Sequence, residues 1–333
     1  MAHSYHDIVN ELIDKAGIQA DEIFYYDGIP LEPVFEMYFQ FCQENLVRKG
    51  NEYKIDPARI FIRNHRGVNA FATTHNGYYI VGVNAGTLIN LYYFFDSKDE
   101  LFDSPSLSFL NNLNTQLKTI DAPIFYLMQQ FCNQFTYYHE LGHLIQRSPE
   151  LQMIIEEQYF SPTSKCVFSP ERHVYEFDAD IHGSEHIAFH VLQFWDKQGP
   201  GIRTAENLSH LISIAVAAIF SYFLKLMEGY NKMYYAETCH PHPLVRLAYI
   251  IDSFIQTIEG NPKSNVQINS NKIIQESFNI LDVMFKAEGS NQVELFIKMF
   301  GEEKDRINTY IRQDIFQLVG KMPELAYNRL RQN

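Results

Sequence analysis

The spacing of apolar residues predicts helices at the start of the chain, followed by a small sheet. Apolar residues recur every three or four positions in residues 6–15 and 31–49, which is the helical period. Across residues 58–84 the pattern changes to alternation around a turn at His75-Asn76-Gly77, which predicts two or three short strands. The pattern therefore indicates a small sheet on the N-terminal side of a larger helical region.

Helical spacing dominates the remainder of the chain. It begins at Gly86 and is interrupted by the polar residues 96–120. The later helices are predicted from residue 122 to the Arg147-Ser148-Pro149 step, at residues 170–195 and 208–227, from Leu244 onward, and at residues 278–285 and 293–300. These elements predict an α+β fold that is mostly helical. We expect a helical region at 1–57, a core at 58–255 and a helical region at 256–333 that can pack on the core as one domain.

Composition changes this picture only by excluding some partners. The chain has 333 residues, of which 46% are hydrophobic and 20% are charged, as is ordinary for a soluble globular protein. Its formal net charge is −13, and no run of lysine and arginine occurs. This acidic balance argues against nucleic acid as a main partner and against binding to an anionic membrane surface.

The chain carries no clear targeting or membrane-spanning pattern. Its first residues lack the basic-then-apolar order of a signal sequence. The most apolar stretch, residues 208–227, is short for a membrane span and is better suited to a buried core helix, so no stable span is expected. The four cysteines are scattered and are interpreted as reduced thiols: Cys42, Cys132, Cys166 and Cys239. We therefore expect a cytoplasmic protein.

The candidate chemistry begins with the motif His139-Glu140-Leu141-Gly142-His143, which lies in a strongly apolar predicted helix. Residues four apart share one face of a helix, so two imidazoles would point at one spot, as a zinc ion requires. Glu140 lies beside the first histidine, where a general base would accept a proton from water. Polar side chains buried in so apolar a helix need bonding partners, and a single metal ion could serve as the partner of several of them.

A third ligand is predicted in the helix at residues 170–195. Glu176 and Asp180 lie four residues apart, so Glu176 can reach the metal while Asp180 holds the far nitrogen of a ligand histidine. The same helix offers other ligands of suitable chemistry: His173, Asp178, His182 and His186. Spacing alone leaves the choice between Glu176 and these rivals open.

Two further features have a possible mechanistic use. A strand that precedes the metal helix can pair with an extended peptide and align it over the metal. His240 is held in extended chain by two X-Pro steps, and with Arg246 it can present donors to a charged intermediate. Either feature is also compatible with a purely structural role.

Several of these pieces occur in the order found in one family of enzymes. They are Asn69-Ala70-Phe71-Ala72, Gly86-Thr87-Leu88, His139-Glu140-Leu141-Gly142-His143, Glu176-Phe177-Asp178-Ala179-Asp180, and His240-Pro241 with Arg246 six residues after the histidine. In this respect residues 58–250 resemble the gluzincin metallopeptidases of the CAAX prenyl protease and HtpX type, with their soluble relatives, the minigluzincins. The resemblance implies a zincin-like core.

The resemblance also implies a role for each matching residue. His139, His143 and Glu176 would hold one zinc ion per chain, with Glu140 as the general base. Asp180 would support the ligands, His240 would stabilise an oxyanion, and Arg246 would brace that region, by pairing with Asp180. Substrate would bind along the strand at Asn69, Ala70, Phe71 and Ala72. The expected activity is therefore that of a zinc metallopeptidase acting on a protein or peptide substrate.

The chain departs from the family in three ways. It lacks the spanning hairpins of the membrane members, about fifty residues separate Gly86-Thr87-Leu88 from the motif that begins at His139, and both helical ends lack a counterpart. By its size and its zincin motif the chain is also similar to phage-exclusion proteases of the Lit type, although more weakly. These departures bear on substrate and regulation rather than on the metal chemistry.

Two other functions remain open from the sequence. The first is a zinc hydrolase of a non-peptide amide or ester, which would not need an edge strand. The second is a non-catalytic scaffold with structural zinc, although such sites use four protein ligands and have no need for Glu140. A peptidase held inactive by residues 150–171 or by its C-terminal region is a variant of the main prediction.

Overall fold

The structure, a computed structural model, describes residues 4–146, 168–226, 232–238, 240–261 and 266–326 and shows a mostly helical α+β fold. This confirms the predicted fold class at that level. In chain order the α-helices are α1 (Tyr5–Glu11), α2 (Glu32–Tyr53), α3 (Ala85–Asp96), α4 (Asn111–Thr119), α5 (Ile124–Gln146), α6 (Pro170–Asp196), α7 (Ala205–Leu226), α8 (Pro243–Glu259), α9 (Ser270–Lys286), α10 (Gln292–Tyr310) and α11 (Phe316–Val319). Short 3₁₀ turns span Ala20–Glu22, Asp99–Asp103 and Pro105–Leu110, and π-helical turns span Leu12–Ala16 and Ile311–Ile315.

The sheet has three strands in the order β1-β3-β2. They are β1 (Ala58–Arg63), β2 (Ala70–His75) and β3 (Tyr78–Asn84). The β2 and β3 strands form the predicted antiparallel hairpin, whose turn places Asn76 and Gly77 at positive φ. The β1 strand instead runs parallel to β3, so the sheet is mixed. The hairpin places β2 at one side of the sheet, where it packs against α5.

The N-terminal residues cover the other side of the sheet. The amide of Phe24 donates to the carbonyl of Ile62 at 2.9 Å, and the hydroxyl of Tyr5 accepts from the Ile62 amide at 3.1 Å. Tyr5 is buried against Tyr26 and Phe39, with ring centroids 4.6 and 5.1 Å away. These contacts satisfy backbone groups of β1 that would otherwise be exposed at an edge.

Helices α5 and α6 pack against each other at close range because small residues meet at their crossing. A Cβ atom placed on Gly142 would lie 3.0 Å from Cα of Ala179, which is closer than ordinary packing allows. One on Gly183 would lie 3.1 Å from the ring of Phe135. The close approach of these two helices therefore depends on glycine at both positions.

Helix α7 packs on α5 and α6 and lies in the core. Within the described residues Ala205–Lys225 is the one stretch long and apolar enough to cross a membrane, and 94% of that window is buried inside the fold. Burial to this extent is typical of a core helix. Its polar residues are also satisfied internally, since Ser213 and His210 both bond Glu276 of α9.

The C-terminal helices continue the same core. Helix α8 packs on α6, α9 packs on α7, and α10 packs on α8 and α9. Buried apolar residues from Tyr5 to Ala326 belong to one hydrophobic cluster. The division of the chain into three regions at residues 57 and 255 stays a prediction from the sequence.

Several sequence predictions concern residues that the structure does not describe. These are the end of the metal helix at residues 147–149, most of the 150–171 connection, Cys166 and Cys239. Cys42 and Cys132 lie within the described ranges, and both are buried free thiols.

Candidate metal centre

A group of three side chains that could bind a metal ion lies where α5 meets α6. His139 and His143 project from the same face of α5, one turn apart, and Glu176 faces them from α6. One ligand atom from each residue lies within 4.8 Å of the other two. The closest donor atoms are the two Nε2 atoms, which are 3.1 Å apart. The carboxylate oxygens of Glu176 lie 3.4 Å from Nε2 of His143 and 3.7 Å from Nε2 of His139.

These separations fit coordination of one small cation. Bonds of about 2.0–2.1 Å in a tetrahedral arrangement place two donor atoms about 3.3 Å apart. Two imidazole nitrogens at 3.1 Å also cannot both act as acceptors toward each other, whereas both can donate lone pairs to a metal. In addition, Oε2 of Glu176 is buried and makes no hydrogen bond to a described residue. A cation between the three donors would satisfy that oxygen.

The far nitrogen of His139 faces a charged cluster built by α6 and α8. Its Nδ1 lies 2.9 Å from Oδ1 of Asp180, close enough for a hydrogen bond, although the angle is too bent for a strong one. Asp180 is itself bound bidentately by Arg246, through two contacts of 2.7 Å, and receives the hydroxyl of Tyr249 at 2.8 Å. The structure thus places Asp180 and Arg246 together behind the first histidine.

The far nitrogen of His143 faces a neutral group. Its Nδ1 lies 3.0 Å from Oε1 of Gln146, which is on the next turn of α5. The amide nitrogen of Gln146 donates to Oδ2 of Asp178 at 2.7 Å and to the carbonyl of Tyr175 at 3.0 Å. Gln146 therefore connects the second histidine to α6.

Burial and charge act in opposite directions on the ionisable groups. Burial alone would raise the pKa of Glu176, but the facing His240 and His143 hold that pKa well below its usual value. Burial likewise opposes ionisation of Asp180, yet the Arg246 guanidinium keeps the pKa of Asp180 lowered. For His143, the negative charge of Glu176 overcomes burial and raises the pKa. The site therefore favours an ionised Glu176 and Asp180.

Glu140 and His240 lie at this group in different surroundings. Glu140 is buried on α5, and its charge acts on His143 and on Tyr222 of α7. His240 is at the surface, with 57% of its side chain exposed, and its Nδ1 lies 3.1 Å from Oε1 of Glu176. Glu140 is thus buried beside the candidate metal ligands, whereas His240 faces solvent.

The rival ligands on α6 are engaged elsewhere. His173 contacts the hydroxyl of Tyr310 and the carbonyl of Thr238. His182 faces the carbonyl of Tyr138, and His186 stacks on the ring of Tyr138 with centroids 4.2 Å apart. Burial lowers the pKa of His182 to about 4, so its ring is neutral at physiological pH. These contacts leave Glu176 as the α6 residue that faces both histidines of α5.

The strand predicted to bind substrate lies at the outer position of the sheet, beside α5. Part of its backbone is already bonded within the fold. The Asn69 amide donates to Oγ1 of Thr87, the Asn69 carbonyl accepts from Thr87 and Asn84, and the Ala70 amide donates to Oδ1 of Asn69. The Phe71 ring packs over Gly82 of β3. Ala70 and Ala72 are buried and Phe71 is partly buried, so of the four predicted residues Asn69 is the exposed one.

No family model, curated protein or solved structure matches this chain.

Two supporting residues were not identified from the sequence. Gln146 lies three residues after His143, and Tyr249 lies three residues after Arg246, so each shares a helix face with a residue that was identified. That spacing was an available signal. It could not show which neighbour each side chain contacts, because Asp178 and Asp180 belong to another helix.

Proposed function

We propose that the protein is a zinc-dependent metallopeptidase of the gluzincin class, in which His139, His143 and Glu176 hold the metal. The spacing and burial of these three donors is the observation that carries the proposal. Two imidazoles and one carboxylate form the ligand set of catalytic zinc sites, whereas structural sites use four protein ligands. The presence of a further acidic residue, Glu140, beside the first ligand favours catalysis over a structural role.

The metal supplies Lewis acidity, which lowers the pKa of water and polarises a carbonyl group. Glu140 provides the accompanying acid–base function. Its buried carboxylate, next to His139 along α5, can accept a proton from water and return it to the leaving nitrogen. This position explains why a carboxylate is placed in an otherwise apolar part of the helix.

His240 and Arg246 have separate roles in the proposed mechanism. With Nδ1 against Glu176, His240 has its Nε2 to donate to an oxyanion, and its exposure gives a substrate access to it. Arg246 is buried and committed to Asp180, and its guanidinium also lies 3.5 Å from Oε2 of Glu176. We therefore assign Arg246 to positioning the acidic residues rather than to contact with substrate.

The substrate class is inferred from the strand beside the metal helix. An edge strand of a sheet can align an extended peptide, with main-chain hydrogen bonds providing affinity. Here β2 occupies that position next to α5, which favours a protein or peptide substrate.

A second candidate is a zinc hydrolase of a non-peptide amide or ester. The internal bonds of Asn69 and Ala70 favour it, because backbone groups used within the fold are not offered to a peptide. The ligands and the base would be the same in this case.

The metal assignment is tested by elemental analysis of the purified protein after loading with zinc and removal of excess. We expect about one zinc per chain in wild type and little in Glu176→Ala. His186→Gln, which changes a half-buried imidazole on the same helix but outside the ligand group, should retain the metal. Wild type without bound zinc would refute the proposal, and zinc retained by Glu176→Ala would refute the assignment of that ligand.

The catalytic assignment is tested with zinc-loaded wild type and Glu140→Gln. Both are incubated with a peptide library derived from a cell proteome, and new termini are counted by mass spectrometry. Loss of the base should lower cleavage by about 10²- to 10⁴-fold while zinc content stays unchanged. Equal cleavage by both proteins would contradict the mechanism. Turnover of p-nitrophenyl acetate without peptide cleavage, lost in Glu140→Gln, would favour the second candidate.

A further inference from the structure

The contact between His143 and Gln146 has a defined direction. The amide nitrogen of Gln146 faces two groups that only accept hydrogen bonds, Oδ2 of Asp178 and the carbonyl of Tyr175. The amide oxygen must therefore be the atom that faces Nδ1 of His143, at 3.0 Å. Because that oxygen only accepts, Nδ1 carries the hydrogen, and Nε2 keeps its lone pair for the metal.

Asp178 extends this arrangement to residues 322–326, the last residues that the structure describes. Its Oδ2 accepts from Gln146 and also from the backbone amide of Ala326, both at 2.7 Å. Asp178 and Ala326 are fully buried, so water does not compete for these bonds. A second bond joins the same elements, since the Tyr175 hydroxyl on α6 donates to Oε1 of Glu324 at 2.9 Å.

We infer that the C-terminal segment, residues 322–326, positions the metal ligand His143 through a relay of Ala326, Asp178 and Gln146. The inference rests on the proposed metal centre. Removal of the outer partners of a ligand histidine weakens metal binding by about 10- to 100-fold, because the ring loses its orientation and its defined tautomer. Coupling between two binding events is reciprocal, so the metal should in turn stabilise docking of this segment.

The test measures zinc affinity of the metal-free full chain by competition with a chelating dye. Gln146→Leu, which keeps the volume but removes both amide functions, should bind zinc about 10- to 100-fold more weakly than wild type. Ala326→Pro removes the backbone donor, although it also fixes φ, and it should bind more weakly than Ala326→Gly, which retains that donor. Tyr175→Phe, which removes the second attachment but keeps the Tyr175 carbonyl, should lose affinity less than Gln146→Leu.

A paired exchange separates positioning from packing. Gln146→Glu places a carboxylate against Asp178, whereas adding Asp178→Asn supplies a side-chain amide that can donate to that carboxylate, although the nitrogen in that position no longer accepts from the Ala326 amide. The double variant should therefore bind zinc more tightly than the single one. Equal zinc affinity in the single and the double variant would mean that the bond between residues 146 and 178 does not position His143.

Hydrogen exchange supplies a readout that does not depend on turnover. Addition of zinc to wild type should slow exchange of the amides in residues 322–326, and in Gln146→Leu this slowing should be reduced. Circular dichroism of each metal-free variant identifies any that fails to fold. Zinc affinities are then compared among the variants that do fold.

The outcomes are distinguishable. Failure of wild type to bind zinc would refute the metal centre itself. Tight binding by wild type with equal affinity in Gln146→Leu would overturn the relay while leaving the metal centre intact. Weakened binding in Gln146→Leu, with Ala326→Pro equal to Ala326→Gly and no zinc-dependent exchange protection, would overturn the role of the C-terminal segment.

Discussion

The two histidines of the metal group lie one helical turn apart, yet they rest on different kinds of support. Behind His139 is a buried ionic cluster, in which Asp180 is bound by Arg246 and Tyr249 of α8. Behind His143 is the carboxamide of Gln146, from the same helix as the histidine. The support of His139 is charged and comes from other helices. The support of His143 is neutral and comes from the helix that carries the histidine itself.

The difference has an energetic meaning. A buried ion pair compensates a large desolvation cost, so loss of one partner leaves an unpaired charge in the core. A neutral hydrogen bond contributes less, but its direction determines the tautomer of the ring it contacts. We therefore expect the ionic cluster behind His139 to contribute chiefly to the stability of the fold. We expect Gln146, behind His143, to contribute chiefly to metal affinity.

Arg246→Met should produce the largest effect, because it leaves the buried carboxylate of Asp180 without the guanidinium that binds it bidentately. The free energy of unfolding of the metal-free protein should fall by about 3–5 kcal/mol, as measured by urea denaturation. Lys118→Met is the matched control, since it breaks a surface pair with Asp103 and should cost about 1 kcal/mol or less. A loss for Arg246→Met no greater than for this control would show that the charged cluster does not stabilise the fold.

Tyr249→Phe sharpens the comparison by removing one neutral donor from the charged side. The hydroxyl bonds the ionised Asp180 in a fully buried setting, so its loss should lower the free energy of unfolding by about 1.5–3 kcal/mol. Tyr78→Phe removes a similar bond to Glu11 in a more exposed setting, where water can replace it, and should cost less. Equal losses measured by urea denaturation would mean that burial does not strengthen the bond to Asp180.

Glu276 provides a buried carboxylate away from both histidines. Burial alone would raise its pKa, but bonds from His210 and Ser213 lower it below the ordinary value of 4.5. A carboxylate with a lowered pKa in the folded state stabilises the fold above its unfolded pKa, and this contribution is lost as pH falls through the folded value. The stability advantage of wild type over Glu276→Gln should thus be present at pH 7 and shrink below about pH 4.5.

This pH-dependent change should be the smallest of the three effects. Thermal unfolding of the metal-free proteins across pH 3–7 measures it, with the exposed Glu302→Gln as a control whose difference from wild type should stay small throughout. A growing advantage of wild type in acid would contradict the sign of the prediction.

Much of the architecture followed from the sequence because it depends on local periodicity. The helices at residues 31–49 and 170–195 and the hairpin around Asn76-Gly77 were predicted close to their observed bounds, since amphipathic spacing and turn residues act over short distances. The parallel pairing of β1 with β3 was not predicted, because it joins strands that are neighbours in the sheet but not consecutive in the sequence. The support of His143 was missed for a similar reason, since Asp178 and Ala326 are 148 residues apart in the chain.

The sequence by itself determined that His139 and His143 share a face, because four residues complete about one turn of any α-helix. It could not determine which residue of α6 faces them. Glu176 and Asp178 differ by only two positions, which is a rotation of about 200° around the helix. That choice depends on how α6 is rotated against α5, and the rotation is set by the close approach of Gly142 to Ala179. Spacing along one helix is a local property, whereas the facing of two helices is decided only when their side chains pack.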